Sequence, residues 1–301
     1  MSSFFTYVFN GISLGSVYAI IALGYTMVYG IAKMLNFAHG DVIMIGGYVL
    51  FSMIYGSGTN VFAALIVAMV VCTVLGVVIE KVAYKPLREA SSLAVLITAI
   101  GVSILLQNIA QLIFTSQPKM FRNPIKLGSV KMFGANIEGS TILMIVLGII
   151  IVVALSIFIR KTKTGRAMLA VSEDKDAAKL MGINVNTTIT ITFAIGSALA
   201  ALASLLMFNA YPSLIPTSGS MPGIKAFVAA VFGGIGSIPG AMVGGIVLGI
   251  IEVLSGAYIP NGTKLANAIV FVVLIVVLIF KPTGLFGKKI KELSLIHISE
   301  P

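Results

Sequence analysis

Apolar runs long enough to cross a lipid bilayer recur along almost the whole of this 301-residue chain. A helical crossing needs about 20 residues, at about 1.5 Å of rise for each. Of all residues, 58% are apolar and 10% are charged, whereas a soluble domain carries about 25% charged residues. The runs lie at 6–30, 42–56, 61–79, 93–116, 140–159, 187–210 and 264–280. The sequence therefore predicts an all-α polytopic membrane protein with about eight transmembrane helices.

One further apolar region, 224–254, is too long for a single crossing and contains the run GGIGSIPG at 233–240. Glycine adds backbone freedom and proline removes an N–H donor, so this run is expected to interrupt a helix. We predict a broken or re-entrant helix near 233–240, with a shorter helix on each side of the break.

The net charge of +10 is explained by short basic segments beside the apolar runs rather than by a nucleic-acid-binding patch. Segments 80–92, 160–188 and 281–291 are rich in Lys and Arg and are assigned to the cytoplasm. Alternation of the helices then places the N-terminus outside. Segment 117–139 is also basic, yet the same alternation places it on the external side of the membrane. The orientation is assigned from the other basic segments instead.

The longest polar segment, 160–188, lies between two apolar runs and is expected to be exposed to water. It predicts a short cytoplasmic helix near 172–182. Ser172 is a residue type that caps a helix N-terminus, and Gly182 is one that readily becomes left-handed at a C-terminus. Lys179 would lie near the negative end of the helix dipole. A solvated helix that merely connects two spans remains the alternative.

This predicted helix carries an acidic start and a small apolar face. Glu173 and Asp174 would lie at the positive end of the helix dipole, where negative charge is stabilising. Ala177, Leu180 and Met181 recur at helical spacing on one side. An apolar face of this kind is typical of helices that dock in a groove of another protein.

A second polar run, NFAHGD at 36–41, interrupts the apolar sequence between the first two spans. Polar groups and interrupted helices at membrane depth are costly and mark transport pathways. We therefore pair 36–41 with 233–240 as candidate pathway segments, and add Glu252 as the clearest carboxylate within a span. A loop at the membrane surface is the alternative for 36–41. The pathway candidates are Asn36, His39, Gly40, Asp41, Gly233, Gly236, Pro239 and Glu252.

Sequence signatures of several enzyme classes are missing from this chain. It has no G-x-x-x-x-G-K-[ST] phosphate loop, no H-E-x-x-H zinc motif and no G-x-S-x-G nucleophile motif. A single cysteine, Cys72, excludes an intramolecular disulfide framework. We predict that the chain is not an enzyme and carries neither metal nor cofactor of its own.

Small residues recur at four-residue spacing, which lets membrane helices approach closely. They are Gly11 and Gly15, then Gly236, Gly240 and Gly244, and finally Gly245 and Gly249. We interpret these patterns as helix-packing surfaces.

The polar segment contains Asp176-Ala177-Ala178-x-x-x-Gly182, which resembles the EAA motif of ABC importer permeases with Asp in place of the usual Glu. In that family the motif forms the coupling helix, which sits in a groove of the ATPase subunit. The resemblance therefore implies that this helix transmits movement from a separate motor. The coupling candidates are Glu173, Asp174, Asp176, Ala177, Ala178 and Gly182.

Further runs resemble the permeases of branched-chain amino acid importers, in the order expected along residues 1–287. They are NGISLG at 10–15, MLNFAHGD at 34–41, EKVAYKP at 80–86, KAFVAAVFGGIGSIPGA at 225–241 and KPTG at 281–284. Residues 288–301 are interpreted as a cytoplasmic tail. Its last eight residues, SLIHISEP, depart from the pattern and are expected to be unrelated to the permease domain.

The resemblance implies an importer subunit of the bacterial inner membrane that passes branched-chain or related amino acids into the cytoplasm. It implies a second related permease that forms a heterodimer, two ATPase subunits that hold ATP and Mg, and a substrate-binding protein. Membrane lipid is an expected partner, and nucleic acid is not. An ion-coupled secondary transporter or channel for small polar solutes is the alternative. Leucine, isoleucine, valine, other amino acids and amides such as urea all remain open as substrates.

Overall fold

A computed structural model describes residues 2–122, 128–132 and 135–287. Lys126 and the predicted tail at 288–301 lie outside the described residues. The described chain contains eleven α-helices and four short strands. The helices are α1 (Ser2–Ala32), α2 (His39–Phe51), α3 (Val61–Ile79), α4 (Ser92–Phe114), α5 (Gly139–Lys161), α6 (Lys163–Glu173), α7 (Lys175–Leu180), α8 (Val185–Ala210), α9 (Ser220–Gly233), α10 (Ile238–Tyr258) and α11 (Gly262–Phe280). The strands are β1 (Lys119–Met120), β2 (Ser129–Met132), β3 (Ala135–Glu138) and β4 (Ser213–Leu214).

Seven of the described helices are long and apolar enough to cross a membrane: α1, α3, α4, α5, α8, α10 and α11. The other two apolar helices are shorter, with 13 residues in α2 and 14 in α9. The π-helical turn Ser52–Gly56 lengthens α2. The predicted all-α polytopic architecture is confirmed.

Helix α1 forms the centre of the bundle, and α10 is its closest neighbour. Gly15 lies against the backbone of Gly245 and Ile246, and Gly249 lies against the backbone of Gly11 and Gly15. A methyl group on any of these glycines would overlap the facing backbone, so only glycine permits this approach. The interpretation of the glycine patterns as helix-packing surfaces is confirmed here.

The chain leaves helical conformation between α9 and α10, as the run 233–240 predicts. Gly234 and Gly236 have φ angles of +105° and +92°, which glycine adopts readily. Ser237 then accepts a hydrogen bond from the Gly240 N–H and caps α10. The segment after α11 returns to this turn, where Leu285 and Phe286 donate backbone hydrogen bonds to the carbonyl groups at the end of α9.

The described parts of the basic segments that the sequence assigns to the cytoplasm, 80–92, 160–188 and 281–287, lie at one end of the bundle. Lys175 of α7 contacts Ala32 at the end of α1, and Arg88 contacts Asn186 at the start of α8. The turn after α9 packs against Gly30 of α1. We call this the α7 end of the bundle. The opposite end is formed by strands β1 and β4, which pair antiparallel.

Candidate functional site

The N-termini of the two short apolar helices, α2 and α9, meet inside the protein. Gly40 in the first turn of α2 lies against Gly219, which caps α9, and against Gly223 in the first turn of α9. A methyl group on Gly219 would overlap the carbonyl oxygen of Gly40. Each helix N-terminus carries a partial positive charge. Two such ends therefore converge at this point, which we call the half-helix junction (residues 39–41 and 219–223).

A buried carboxylate lies at the half-helix junction. Asp41 is 1% exposed, and its Oδ1 accepts a hydrogen bond of 2.9 Å from Gln107 Nε2 of α4. The same amide nitrogen lies 3.1 Å from Ser220 Oγ and 3.2 Å from Ser103 Oγ. Within the described residues Asp41 has no ion pair, so amide and hydroxyl groups and two helix ends surround its charge. A surface loop at 36–41 is excluded by this burial.

The other polar residues of the 36–41 run are also buried. The His39 ring is 2% exposed and meets the Tyr25 ring edge-on, with 4.9 Å between ring centroids. Its Nε2 atom has no hydrogen-bond partner in the described part of the chain and lies close to Gly24. Asn36 Oδ1 accepts a 2.9 Å hydrogen bond from Tyr84 Oη. These contacts fix the segment that leads from α1 into α2.

An ion pair joins three helices within the bundle. Lys225 Nζ of α9 lies 2.6 Å from Glu252 Oε1 of α10, and Tyr18 Oη of α1 donates to Glu252 Oε2 at 2.9 Å. Lys225 Nζ is also 3.3 Å from Tyr18 Oη. The two charged side chains are 9% and 14% exposed. Glu252 was predicted from the sequence and Lys225 was not, although an isolated lysine inside an apolar helix is itself a signal of function.

The remaining pathway candidates lie elsewhere. Gly233, Gly236 and Pro239 form the turn between α9 and α10 at the α7 end. Residues 39–41 contact 219–223, at the other end of α9, whereas Asn36 and Ile235 line one small pocket together. No contact in the described residues gives the turn a pathway role, and that role stays a prediction.

The polar segment at 160–188 forms two helices, α6 and α7, instead of the single helix predicted near 172–182. Ser172 is not the N-cap, because it lies inside α6 and its hydroxyl donates to the Leu169 carbonyl at 2.7 Å. Asp174 caps α7 by accepting from the N–H groups of Asp176 and Ala177. Glu173 is therefore the last residue of α6 and not part of the start of α7.

The short helix α7 presents an apolar tip. Leu180 is 89% exposed and Met181 is 82% exposed, and Ala177 is exposed beside them. Gly182 follows in a left-handed conformation with φ +80°. Ala178, in contrast, is 3% exposed and faces the body of the protein, so it does not belong to this tip.

Lys175, the first residue of α7, connects this helix to α1. Its Nζ atom donates a 3.0 Å hydrogen bond to the carbonyl oxygen of Ala32, the last residue of α1. Burial lowers the pKa of Lys175, and the positive charges of Arg88 and Lys33 lower it further. A cation at a helix C-terminus stabilises the unpaired carbonyl groups there. Lys175 is thus a cap for α1 and not a free solvated charge.

Comparison with known proteins places the chain in a family. A profile described as "Branched-chain amino acid transport system / permease component" matches residues 7–278. The chain belongs to this family. It is 45% identical to the high-affinity branched-chain amino acid transport system permease protein LivH of Salmonella typhimurium and of Escherichia coli K12, over 95% of this chain and 96% of each relative. It is 43% identical to the permease BraD of Pseudomonas aeruginosa, over 93% of this chain and 94% of that relative.

Membership of this family fixes the general role of the chain. It is a transport protein with multiple passes through the inner membrane, and transport rather than catalysis is its activity. An ion-coupled secondary transporter is not favoured.

Proposed function

We propose that this chain is a permease subunit through which branched-chain amino acids pass from an external binding protein into the cytoplasm. A second related permease completes the membrane pore, and two separate ATPase subunits hold ATP and Mg and supply the energy. The main support is the 45% identity to LivH over nearly the full length of both chains. The exposed apolar tip of α7 adds a surface suited to docking a motor subunit.

Within this proposal, α7 transmits the movement of the ATPase to the membrane. The tip formed by Ala177, Leu180 and Met181 sits in an ATPase groove. Lys175 carries the displacement to the end of α1 through its hydrogen bond to Ala32. The next segment, 33–38, leads directly into α2 and the half-helix junction. Coupling requires a chain of contacting groups that can adopt two arrangements. The route from α7 through Lys175, Ala32 and 33–38 to α2 is a continuous chain of this kind.

Two polar features suit the pathway to an amino acid, which carries one positive and one negative charge. At the half-helix junction, the positive ends of two helices offset the negative charge of the Asp41 carboxylate. The Lys225–Glu252 pair provides one charge of each sign at low exposure. The pathway is therefore charge-balanced, and a zwitterion is accommodated better than an ion with net charge.

The proposal is tested by ATP-driven uptake in liposomes that contain the complete complex. Labelled leucine, isoleucine and valine are offered with the binding protein, and urea and lysine serve as comparison solutes. We expect uptake of the three branched amino acids and stimulation of ATP hydrolysis by the loaded binding protein. Uptake of urea or lysine in preference to leucine would contradict the proposed substrate class.

Replacement of Gly40 by valine is expected to destabilise the half-helix junction and to lower uptake. The added side chain meets the backbone of Gly219 and Gly223, and overpacking of this kind costs roughly 1–3 kcal/mol. Thermal unfolding of the purified complex and leucine uptake measure the two effects. Gly101→Val is the matched control, because nothing lies within 4 Å of a methyl group at Gly101 in α4. Equal behaviour of the two variants would show that the junction is loosely packed.

Replacement of Lys175 by methionine is expected to weaken the coupling of ATP hydrolysis to uptake. Methionine keeps the length of the side chain but cannot donate to Ala32, so α7 loses its polar link to α1. The amount of leucine transported for each ATP hydrolysed should fall, while the ATPase stays bound through the apolar tip. Lys163→Met, at an exposed position of α6, is the control. An unchanged ratio in Lys175→Met would remove this link from the coupling route.

A further inference from the structure

A polar cavity opens at the α7 end of the bundle, away from the half-helix junction. It has a volume of about 350 Å³ and is lined by residues from the end of α1, from the segment before α4 and from α7. Its charged lining consists of Lys33, Arg88 and Lys175. Neither the coupling route nor the pathway accounts for a cavity with three cations in its wall.

The charges around this cavity leave a positive excess. Arg88 is bound to the buried Glu80, and Asp176 partly offsets the charge of Lys175. Lys33 is exposed, and its ammonium group makes no hydrogen bond or ion pair within the part of the chain that the structure describes. Lys175 uses one N–H for Ala32 and keeps two further donors. The ammonium group of Lys33 and the two remaining N–H donors of Lys175 are therefore available to an anion.

A helix N-terminus adds to the attraction for an anion. Ser92, the first residue of α4, lines the cavity, and the 23-residue helix that follows presents its positive end there. Lys33 also has a left-handed backbone, with φ +60°. This conformation is uncommon for a residue other than glycine and is found preferentially at functional positions.

The side of α4 that faces away from the bundle is apolar, and it lies opposite the side on which Val95 lines the cavity. Leu93, Ile97 and Ile104 are 64%, 61% and 54% exposed, and they follow one another along the helix from its N-terminus. Leu87 and Val95 supply apolar walls to the cavity itself. A ligand that carries an anionic group beside an apolar part is thus matched by the lining of the cavity.

We propose that this cavity binds the phosphate headgroup of an anionic phospholipid of the cytoplasmic leaflet, with its acyl chains in the surrounding bilayer. Anionic lipids are concentrated in that leaflet, and basic pockets between helices on this side are suited to their headgroups. The shared chemistry is a phosphate group, which a soluble phosphate also carries. The apolar walls formed by Leu87 and Val95, and the position of the cavity at one end of a membrane-spanning bundle, favour the lipid. A lipid in this position lies against Lys175 and stabilises the contact between α7 and α1.

Binding is tested on the complete complex, purified and freed of native lipid. Short-chain phosphatidylglycerol, short-chain phosphatidylcholine and inorganic phosphate are titrated separately by calorimetry. We expect saturable binding of phosphatidylglycerol that is about fivefold weaker in Lys33→Gln, as expected for the loss of one basic contact. Lys85→Gln is the matched control, because Lys85 is exposed in the same basic end but does not line the cavity. Thermal unfolding without lipid confirms that each variant is folded.

Three results would overturn the proposal. Equal binding of phosphatidylglycerol and phosphatidylcholine would show that the phosphate charge is not recognised. An equal loss of affinity in Lys33→Gln and Lys85→Gln would indicate general attraction to a basic surface. Binding of inorganic phosphate as tight as that of phosphatidylglycerol, with the same dependence on Lys33, would assign the cavity to a soluble anion. None of these measurements depends on transport, so the lipid site and the proposed function fail separately.

Discussion

Replacing Leu180 and Met181 together by aspartate is expected to reduce ATP-driven uptake to background while the permease still enters the membrane. The two side chains are 89% and 82% exposed in this chain and form most of the apolar tip of α7. Burying an apolar side chain of this size contributes about 1.5–3 kcal/mol, so their joint loss weakens ATPase association by about 100-fold or more. Retention of the ATPase on affinity-purified permease measures the association directly.

Ile259→Asp provides the control for the added negative charge, because Ile259 lies at the opposite end of the bundle and is also exposed. That variant should keep its ATPase and most of its uptake. Full ATPase retention in the double variant of α7 would contradict the docking role of the tip. Bulk at Ala178 is a poorer test, since this residue is buried and a larger side chain there displaces α7 itself.

Replacing Lys225 by methionine is expected to lower both stability and uptake. Removal of one partner from a buried ion pair leaves the other charge uncompensated and costs about 3–5 kcal/mol. Glu252 would keep only its hydrogen bond from Tyr18. The double variant Lys225→Met with Glu252→Gln removes both charges, and we expect it to recover most of the stability but not the uptake. Thermal unfolding and leucine uptake of the same preparations separate the two effects.

Normal uptake in this double variant would show that the ion pair only holds α1, α9 and α10 together. A matched replacement is available at Lys264, an exposed lysine in the first turn of α11. Lys264→Met removes a positive charge without unpairing a carboxylate and should leave both measurements close to those of the unmodified complex.

Properties that depend on local sequence could be predicted for this chain. Apolar runs of sufficient length gave the long helices, and the GGIGSIPG run gave the break between α9 and α10. The glycine spacing in α1 and α10 correctly indicated close packing. A helix face without side chains allows any neighbouring helix to approach closely, whichever helix that is. The polarity of 160–188 indicated an exposed segment, which α6 and α7 form.

Properties that depend on contacts between distant segments were not predictable. The burial of Lys225 against Glu252 joins residues 27 positions apart, and nothing local to either residue selects the other. The contact of residues 39–41 with 219–223 was not predicted, because 36–41 was paired only with the glycine- and proline-rich run at 233–240. The start of α9 carries no strong capping signal, because its N-cap residue, Gly219, has no side chain that could accept a hydrogen bond from the helix.

The start of α7 was misplaced for a different reason. Ser172 and Asp174 are both good capping residues, so the sequence alone did not decide between them. The decision came from α6, whose Met168 and Val171 are buried against the bundle and extend helical conformation through Ser172 to Glu173. Asp174 is the first residue free to leave the helix and cap the next one.

The central claim is that the ATPase engages this permease through the tip of α7, and cross-linking from a single position tests it most directly. The native Cys72 is fully buried, so a cysteine introduced at Leu180 is the only exposed thiol among the described residues. A short bifunctional reagent is applied to the assembled complex, and the product is identified by mass spectrometry. We predict a cross-link between Leu180→Cys and the ATPase subunit that depends on assembly, and none from Ile259→Cys. Absence of any ATPase cross-link from Leu180→Cys in an assembled, transporting complex would contradict the claim.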